Sequence, residues 1–126
     1  MPITPVKDLV AEAKTRIRSV APQEAQRLAD AGEALLVDIR DVRELDRGGR
    51  VPGAFHAPRG MLEFWIDPQS PYHKPALASG KTLVLFCASS WRSALAARTL
   101  QDMGVENVAE IEGGFTAWEK AGLPVE

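Results

Sequence analysis

The sequence is poor in several residue types, and each scarcity excludes a class of structure. Its 126 residues include one cysteine, so no disulfide can form within the chain and nothing indicates an oxidising compartment. That cysteine and two separated histidines lack the spacing of a zinc site. No apolar run approaches the roughly 20 residues that cross a bilayer, and the first residues lack the basic-then-apolar order of a signal peptide. We therefore expect a cytoplasmic protein with no metal, no cofactor and no membrane partner.

Net charge is also small, which argues against a broadly basic surface. Lys and Arg number 15 against 17 Asp and Glu, giving a formal charge of −2. We therefore expect no nucleic-acid partner. Hydrophobic residues make up 45% of the chain and charged residues 25%, which is typical of a soluble globular protein. A chain of this length can bury one core without disulfides, and the composition favours no particular oligomeric state.

Hydrophobic spacing predicts helices alternating with strands. Apolar residues recur at helical intervals over 6–19, and we assign 1–19 as an amphipathic helical extension to a domain at 20–126. Continuous apolar runs at 34–39 and 82–86 are typical of strands buried on both faces of a parallel sheet. Weaker strand signals lie at 54–57 and 108–111, whereas helical patterns lie at 23–30, 42–47, 61–66, 91–103 and 115–121. We predict an α/β fold with a mostly parallel central sheet flanked by helices, an extra N-terminal helix, and a surface loop at 67–80.

Cys87 stands where a thiol is readily converted to a thiolate. It ends the apolar run at 82–86 and opens a short loop that leads into an Ala-rich helix. A tight strand-to-helix loop directs backbone N–H groups into one concavity, and the helix adds its positive N-terminal end. Arg92 adds a permanent cation at the end of the loop. The sequence therefore predicts a nucleophilic Cys87 in a cradle suited to a thiolate, a persulfide anion or an anionic donor.

The spacing between Cys87 and Arg92 separates two chemistries. Four residues stand between them, whereas cysteine-dependent phosphatases have five, and the residue at the phosphatase arginine position is Ser93. The smaller ring fits a sulfur atom better than a phosphate. The loop length therefore disfavours a phosphatase or an arsenate reductase and favours sulfur chemistry.

Three further segments resemble the rhodanese-like domain family of sulfurtransferases. LVDIRD at 36–41, with Glu44 beyond it, is similar to the family's "LVDVR…E" signature. VPGAFHAP at 51–58 resembles its "HIPGA-x-N-x-P" segment, and EGGFTAWEKAGLPV at 112–125 resembles its C-terminal segment. Ser90 departs from the family pattern, which often has glycine at that position, and Trp91 is bulky for the rim of the loop. The order of these blocks around the Cys87 loop makes the resemblance specific.

The resemblance implies sulfur transfer in two displacements. Cys87 would take the outer sulfur of a small anionic donor such as thiosulfate and become a persulfide, and a thiol, cyanide or a protein acceptor would then remove that sulfur. We expect Asp38 and Arg40 to support the site, as a structural ion pair with Glu44 or by holding the loops. The residues expected to bind the donor are Ala88, Ser89, Ser90, Trp91 and Arg92. One alternative remains open, a non-catalytic rhodanese-like module that docks a regulatory partner at the same edge.

Overall fold

A computed structural model describes residues 2–126 and contains six helices and five strands. The helices are α1 (Val6–Lys14), α2 (Pro22–Asp30), α3 (Val42–Gly48), α4 (Leu62–Ile66), α5 (Trp91–Asp102) and α6 (Gly114–Lys120). The strands are β1 (Ser19–Val20), β2 (Ala34–Asp38), β3 (Phe55–His56), β4 (Thr82–Phe86) and β5 (Val108–Ile111). They form one sheet in the order β1-β5-β4-β2-β3, and every pairing is parallel. The predicted α/β fold with a parallel sheet flanked by helices is confirmed.

The sheet separates two apolar layers because alternate residues of a strand point to opposite faces. Leu36 and Val84 belong to the layer that includes Trp118 of α6, and Ala25 and Leu28 of α2 pack into the same layer. Val37 and Leu85 belong to the other layer, with Leu62 of α4 and Leu100 of α5. Both central strands are thus covered on each face, which explains their unbroken apolar sequence.

The N-terminal helix packs on the outside of this arrangement. Val10 and Ala13 of α1 are buried against Ala94 of α5. The helix ends at Lys14, earlier than the predicted range of 6–19, because the chain turns into the edge strand β1. Ser19 pairs with Glu110 and Val20 with Ile111 in that strand. A strand of two residues has no measurable periodicity, so the sequence pattern missed it.

Smaller differences from the predicted elements concern the connections. The predicted strand at 54–57 is limited to β3, and the segment at 67–80 contains a short 3-10 helix, Pro75–Ala78. Helix α3 begins with a capping box, in which Asp41 accepts from the N–H of Arg43 at 2.9 Å and Glu44 accepts from the N–H of Asp41 at 3.1 Å. None of the helices within residues 2–126 is long and apolar enough to cross a membrane.

Candidate active site

The carboxyl ends of the central strands bring the predicted residues to one edge of the sheet. Cys87 follows β4, Asp38 ends the neighbouring β2, and Gly113 and Gly114 follow β5 on the other side. The N–H of Phe115 donates to the carbonyl oxygen of Cys87 at 2.8 Å. The start of α6 is therefore bonded directly to the base of the Cys87 loop.

Cys87 is almost entirely buried and its sulfur is surrounded by hydrogen-bond donors. The side chain is 1% exposed, and the N–H of Ser93 donates to Sγ at 3.4 Å. Burial raises the pKa of Cys87, whereas hydrogen bonding with the Ser93 side chain and with the N–H groups of Ser93, Ser89 and Ser90 lowers it by a larger amount. The net shift of the Cys87 pKa is downward, so the loop favours the thiolate.

The bend of the loop is concentrated at Ser90. Its φ of 77° places it in the left-handed region, and within residues 2–126 it is the one non-glycine residue with positive φ. Such a conformation costs roughly 1–2 kcal/mol for a residue with a Cβ. The Ser90 side chain is buried and its hydroxyl donates to Oε1 of Glu110. This bond fixes the residue in the orientation that turns its N–H toward Cys87.

Glu110 and Ser93 form the floor beneath the loop. Glu110 lies on β5 and is fully buried, and its Oε1 also accepts from the Ser93 hydroxyl at 2.9 Å. The Ser93 hydroxyl lies 3.5 Å from Sγ of Cys87, so it stands between the sulfur and the carboxyl group. Neither residue was predicted from the sequence to belong to the site. The available signal was a charged residue inside the buried strand at 108–111.

Arg92 is held by an acidic side chain at the mouth of the loop. Its two terminal nitrogens donate to the two carboxylate oxygens of Glu44 at 2.7 and 2.9 Å. Hydrogen bonds from Arg92 are the main reason that the pKa of Glu44 falls to about 2. The pKa of Arg92 is raised mainly by the same bonds, with a smaller contribution from Cys87. The guanidinium therefore stands near the sulfur while remaining paired with α3.

Asp38 and Arg40 form a buried ion pair beside the site. Arg40 Nη2 donates to Asp38 Oδ2 at 2.8 Å and to the carbonyl oxygen of Gly49 at 2.9 Å. The guanidinium also lies 4.0 Å from the centre of the Phe115 ring. Both side chains are only 3% exposed. The pair connects β2 to Gly49 after α3 and to Phe115 of α6. Glu44 was a predicted partner of Asp38 and Arg40, but it binds Arg92 instead.

The remaining predicted donor-binding residues line the outside of the loop. Ala88 is half-buried and Ser89 is exposed, and Trp91 is 48% exposed at the first position of α5. The two histidines are occupied by backbone carbonyls, since His56 Nε2 lies 2.7 Å from the oxygen of Arg40 and His73 Nδ1 lies 2.9 Å from the oxygen of Trp65. Residues 2–126 contain no cluster of side chains able to hold a metal ion.

The Rhodanese-like domain family matches residues 21–121 of this sequence. The chain belongs to that family. A sulfurtransferase from Allochromatium vinosum is 33% identical over 80% of this rhodanese-like chain and 86% of its own length. The thiosulfate sulfurtransferase GlpE from Glaesserella parasuis is 31% identical over 85% of the chain and 91% of its own length. The uncharacterized protein slr1261 from Synechocystis is 38% identical over 84% of the chain, which spans 54% of that relative.

Solved structures agree with this rhodanese-like assignment. A thiosulfate sulfurtransferase from Pseudomonas aeruginosa superposes with a TM-score of 0.75 at 28% identity, covering 91% of the chain and 21% of that protein. A protein of unknown function from Rhodopseudomonas palustris, RPA3614, superposes with a TM-score of 0.92 at 50% identity and covers 100% of the chain and 99% of its own. RPA3614 is described as a possible tyrosine phosphatase. The named relatives thus place the chain in a sulfurtransferase family, and one similar structure carries a different functional label.

Proposed function

We propose that this rhodanese-like protein is a sulfurtransferase that carries sulfane sulfur as a persulfide on Cys87. The observation that carries the proposal is a buried Cys87 at the end of β4 whose Sγ accepts from the N–H of Ser93 at 3.4 Å. The N–H groups of Ser89, Ser90 and Ser93 all lower the pKa of this thiol. A hydrogen bond to a charged group contributes about 1.5 to 3 kcal/mol. Several such bonds stabilise a thiolate, and the same cradle would receive the anionic outer sulfur of a persulfide.

The reaction consists of two displacements at sulfur. The Cys87 thiolate attacks the outer sulfur of thiosulfate, forming a new sulfur–sulfur bond while the old one breaks with its electron pair remaining on sulfite. An acceptor such as cyanide or a thiolate then attacks the outer sulfur of the persulfide and releases the Cys87 thiolate. No external oxidant or reductant is needed, because the sulfane sulfur passes at constant oxidation state. Covalent catalysis of this kind divides one difficult transfer into two easier ones.

Arg92 has a supporting role in this proposal. Its charge would attract an anionic donor toward the mouth of the loop, although both of its terminal nitrogens also donate to Glu44. We therefore expect Arg92 to contribute electrostatic attraction, while the N–H groups of the loop hold the transferred sulfur. Small anionic donors are favoured because Sγ lies at the bottom of the loop and Cys87 is only 1% exposed.

Mass spectrometry of the intact protein tests the proposal directly. After incubation with thiosulfate we expect an added mass of one sulfur atom, which disappears on adding cyanide as thiocyanate is produced. Cys87→Ser serves as the control and should gain no sulfur, since it removes the one cysteine of the sequence. A wild-type protein that gains no sulfur from thiosulfate or from a polysulfide, and produces no thiocyanate, would contradict the proposal.

The description of RPA3614 as a possible tyrosine phosphatase makes phosphate-ester hydrolysis the second candidate. The loop argues against it in this chain, because the position of a phosphatase arginine holds Ser93, whose side chain is buried on Glu110. No cation can then approach the phosphoryl oxygens from that position. We expect no hydrolysis of an aryl phosphate above the rate of Cys87→Ser. A Cys87-dependent rate would favour the phosphatase.

A further inference from the structure

Glu110 is a buried charged residue that the sulfur-transfer steps do not use. It is 0% exposed on β5, and no basic side chain within residues 2–126 forms an ion pair with it. Its Oε2 is buried and has no hydrogen-bond partner among the described residues. Burying a carboxyl group in this way costs several kcal/mol. An apolar side chain on this strand would avoid that cost, as Ala109 and Ile111 do on either side.

Both partners of Glu110 belong to the Cys87 loop and the helix that follows it. The hydroxyls of Ser90 and Ser93 both donate to the same oxygen, Oε1. A carboxyl oxygen has two lone pairs, so Oε1 can accept from both hydroxyls at once. Glu110 is therefore a competitor for the hydrogens of both serines.

The Ser93 hydroxyl has a single hydrogen and two possible acceptors. In the thiol form, Cys87 can donate its own hydrogen to Ser93 Oγ across 3.5 Å while Ser93 donates to Glu110 across 2.9 Å. In the thiolate form, Sγ has no hydrogen and needs the one held by Ser93. Sγ of Cys87 and Oε1 of Glu110 then compete for the Ser93 hydrogen. A hydrogen bond to one of them is made only when the bond to the other is lost.

We propose that Glu110 is a positioning residue for the sulfur chemistry of Cys87, which anchors Ser90 in its left-handed conformation and competes with the sulfur for the hydrogen of Ser93. The inference rests on the proposed sulfur-carrier function. In the persulfide, the negative charge lies on the outer sulfur, about 2 Å beyond Sγ, and farther from Glu110. The outer sulfur accepts hydrogen bonds from the N–H groups of the loop. Sγ is then uncharged and no longer competes for the Ser93 hydrogen. Glu110 thus favours the loaded carrier over the free thiolate.

Most other charged groups at this edge form ion pairs, and Glu112, which follows β5, is exposed to solvent. Asp38 and Arg40 bind each other on β2, and Glu44 of α3 binds Arg92 of α5. Arg59 and Glu63 form a pair before and within α4, and His56 of β3 contacts the carbonyl oxygen of Arg40. Glu110 is the charged group on β5 that reaches Cys87 through a single hydroxyl. None of these other pairs is altered by a change at Glu110 or Ser93.

A titration of Cys87 in four proteins tests the inference. The ultraviolet absorbance of the thiolate is measured against pH in the wild type, Glu110→Gln, Ser93→Ala and the double variant, with Cys87→Ser as the blank. In Glu110→Gln the amide is a weaker acceptor, so the Ser93 hydrogen moves to Sγ and the pKa of Cys87 falls by about one unit. Ser93→Ala removes the donor and raises the pKa of Cys87. In the Ser93→Ala background, Glu110→Gln lowers the pKa by less than half as much, since only the through-space charge remains.

Two results would overturn the inference: no fall in the Cys87 pKa in Glu110→Gln, or an equal fall with and without the Ser93 hydroxyl. Ser90→Gly provides a second variant if Glu110→Gln does not fold, because glycine accommodates the φ of 77°. Glu110 then relies on Ser93 alone, and the pKa of Cys87 rises; an unchanged or lower pKa contradicts the competition. The titration needs no sulfur donor. A protein that shows these shifts but takes up no sulfur contradicts the proposed function, whereas one that takes up sulfur without the shifts contradicts this inference.

Discussion

At Ser90, an unfavourable backbone conformation and a buried hydrogen bond occur in the same residue. The left-handed φ favours glycine, yet the hydroxyl supplies a donor that Glu110 would otherwise lack. The two effects have opposite signs and comparable sizes, roughly 1–2 kcal/mol for the conformation and about 1 to 3 kcal/mol for removing the partner of a buried polar group. On these magnitudes the hydrogen bond offsets the cost of the left-handed conformation.

We therefore predict that Ser90→Gly lowers the free energy of unfolding by about 1 kcal/mol, although glycine relieves the strain. Ser90→Ala is the matched control, since it removes the hydroxyl while keeping a Cβ in the left-handed region. Because the strain is the same in this variant and in the wild type, it should cost the hydrogen bond alone, about 1 to 3 kcal/mol. Denaturant unfolding at neutral pH measures both. A glycine variant more stable than the wild type would show that the hydrogen bond to Glu110 is the weaker effect.

The sequence identified Ser90 as unusual but could not identify its partner. The position of Cys87 follows from a strand end and the start of a helix, both of which leave local patterns. Glu110 lies 20 residues farther along the chain, and its contact with the loop depends on which side chains of β5 face the site. The pairing of Arg92 with Glu44 spans 48 residues and depends in the same way on the packing of α5 against α3. Contacts of this kind are set by tertiary packing and have no local signature.

At the scale of elements, the decisive contact is between the start of α6 and the Cys87 loop. Gly114 has a φ of 60°, and a Cβ there would lie 2.8 Å from the carbonyl carbon and oxygen of Ala88 and closer still to the carbonyl oxygen of Cys87. Backbone atoms cannot move aside as a flexible side chain would. The absence of a side chain allows the N–H groups of Phe115 and Thr116 to reach the carbonyl oxygens of the loop.

We predict that Gly114→Ala lowers the free energy of unfolding by about 3 kcal/mol, combining backbone strain with displacement of the loop. Gly122→Ala is the matched control because Gly122 also has a positive φ, of 73°, but a Cβ there would meet nothing within 4 Å. It should cost only about 1 kcal/mol. Thermal unfolding gives the comparison. Equal losses in the two variants would mean that the close approach to the loop contributes nothing.

Elements of five or more residues were largely predictable, because burial imposes a pattern on them. Strands β2 and β4 are continuous apolar runs, and the repeats of α2 and α5 follow the faces they bury. The edge strand β1 was not predictable, since its two residues are selected by backbone bonds to β5. The short strand β3 was predicted two residues too long for the same reason.

At the scale of the whole molecule, one ion pair connects helix α3, which follows β2, to helix α5, which follows β4. Glu44 on α3 and Arg92 on α5 are 24% and 42% exposed, so solvent screens the pair only in part. The pKa of Glu44 is lowered from 4.5 to about 2 in the folded protein. A lowered carboxyl pKa stabilises the fold above the unfolded value, and that contribution disappears as pH falls through the folded value.

We predict that Glu44→Gln is less stable than the wild type above pH 4.5 by about 1 kcal/mol, a value reduced for solvent screening. The difference should shrink steadily as the pH falls to about 2, where the wild-type carboxylate is protonated as well. Unfolding curves of the two proteins at a series of pH values measure this difference. A gap that stays constant with pH would assign the loss to packing and leave the charge pair without a role.

The depth of Cys87 has a consequence for when the sulfur can be reached. An unloaded Sγ is covered by the loop and is 1% exposed, so large oxidants and bulky thiols meet a closed surface. Loading adds a reactive atom one sulfur–sulfur bond beyond Sγ, about 2 Å, within the N–H cradle of the loop, whose outer residues Ser89 and Trp91 are exposed. If Cys87 carries sulfur as proposed, Sγ of the free cysteine is buried and the outer sulfur of the persulfide lies nearer the surface. An acceptor would thus reach the outer sulfur of the persulfide more readily than Sγ of the free thiolate.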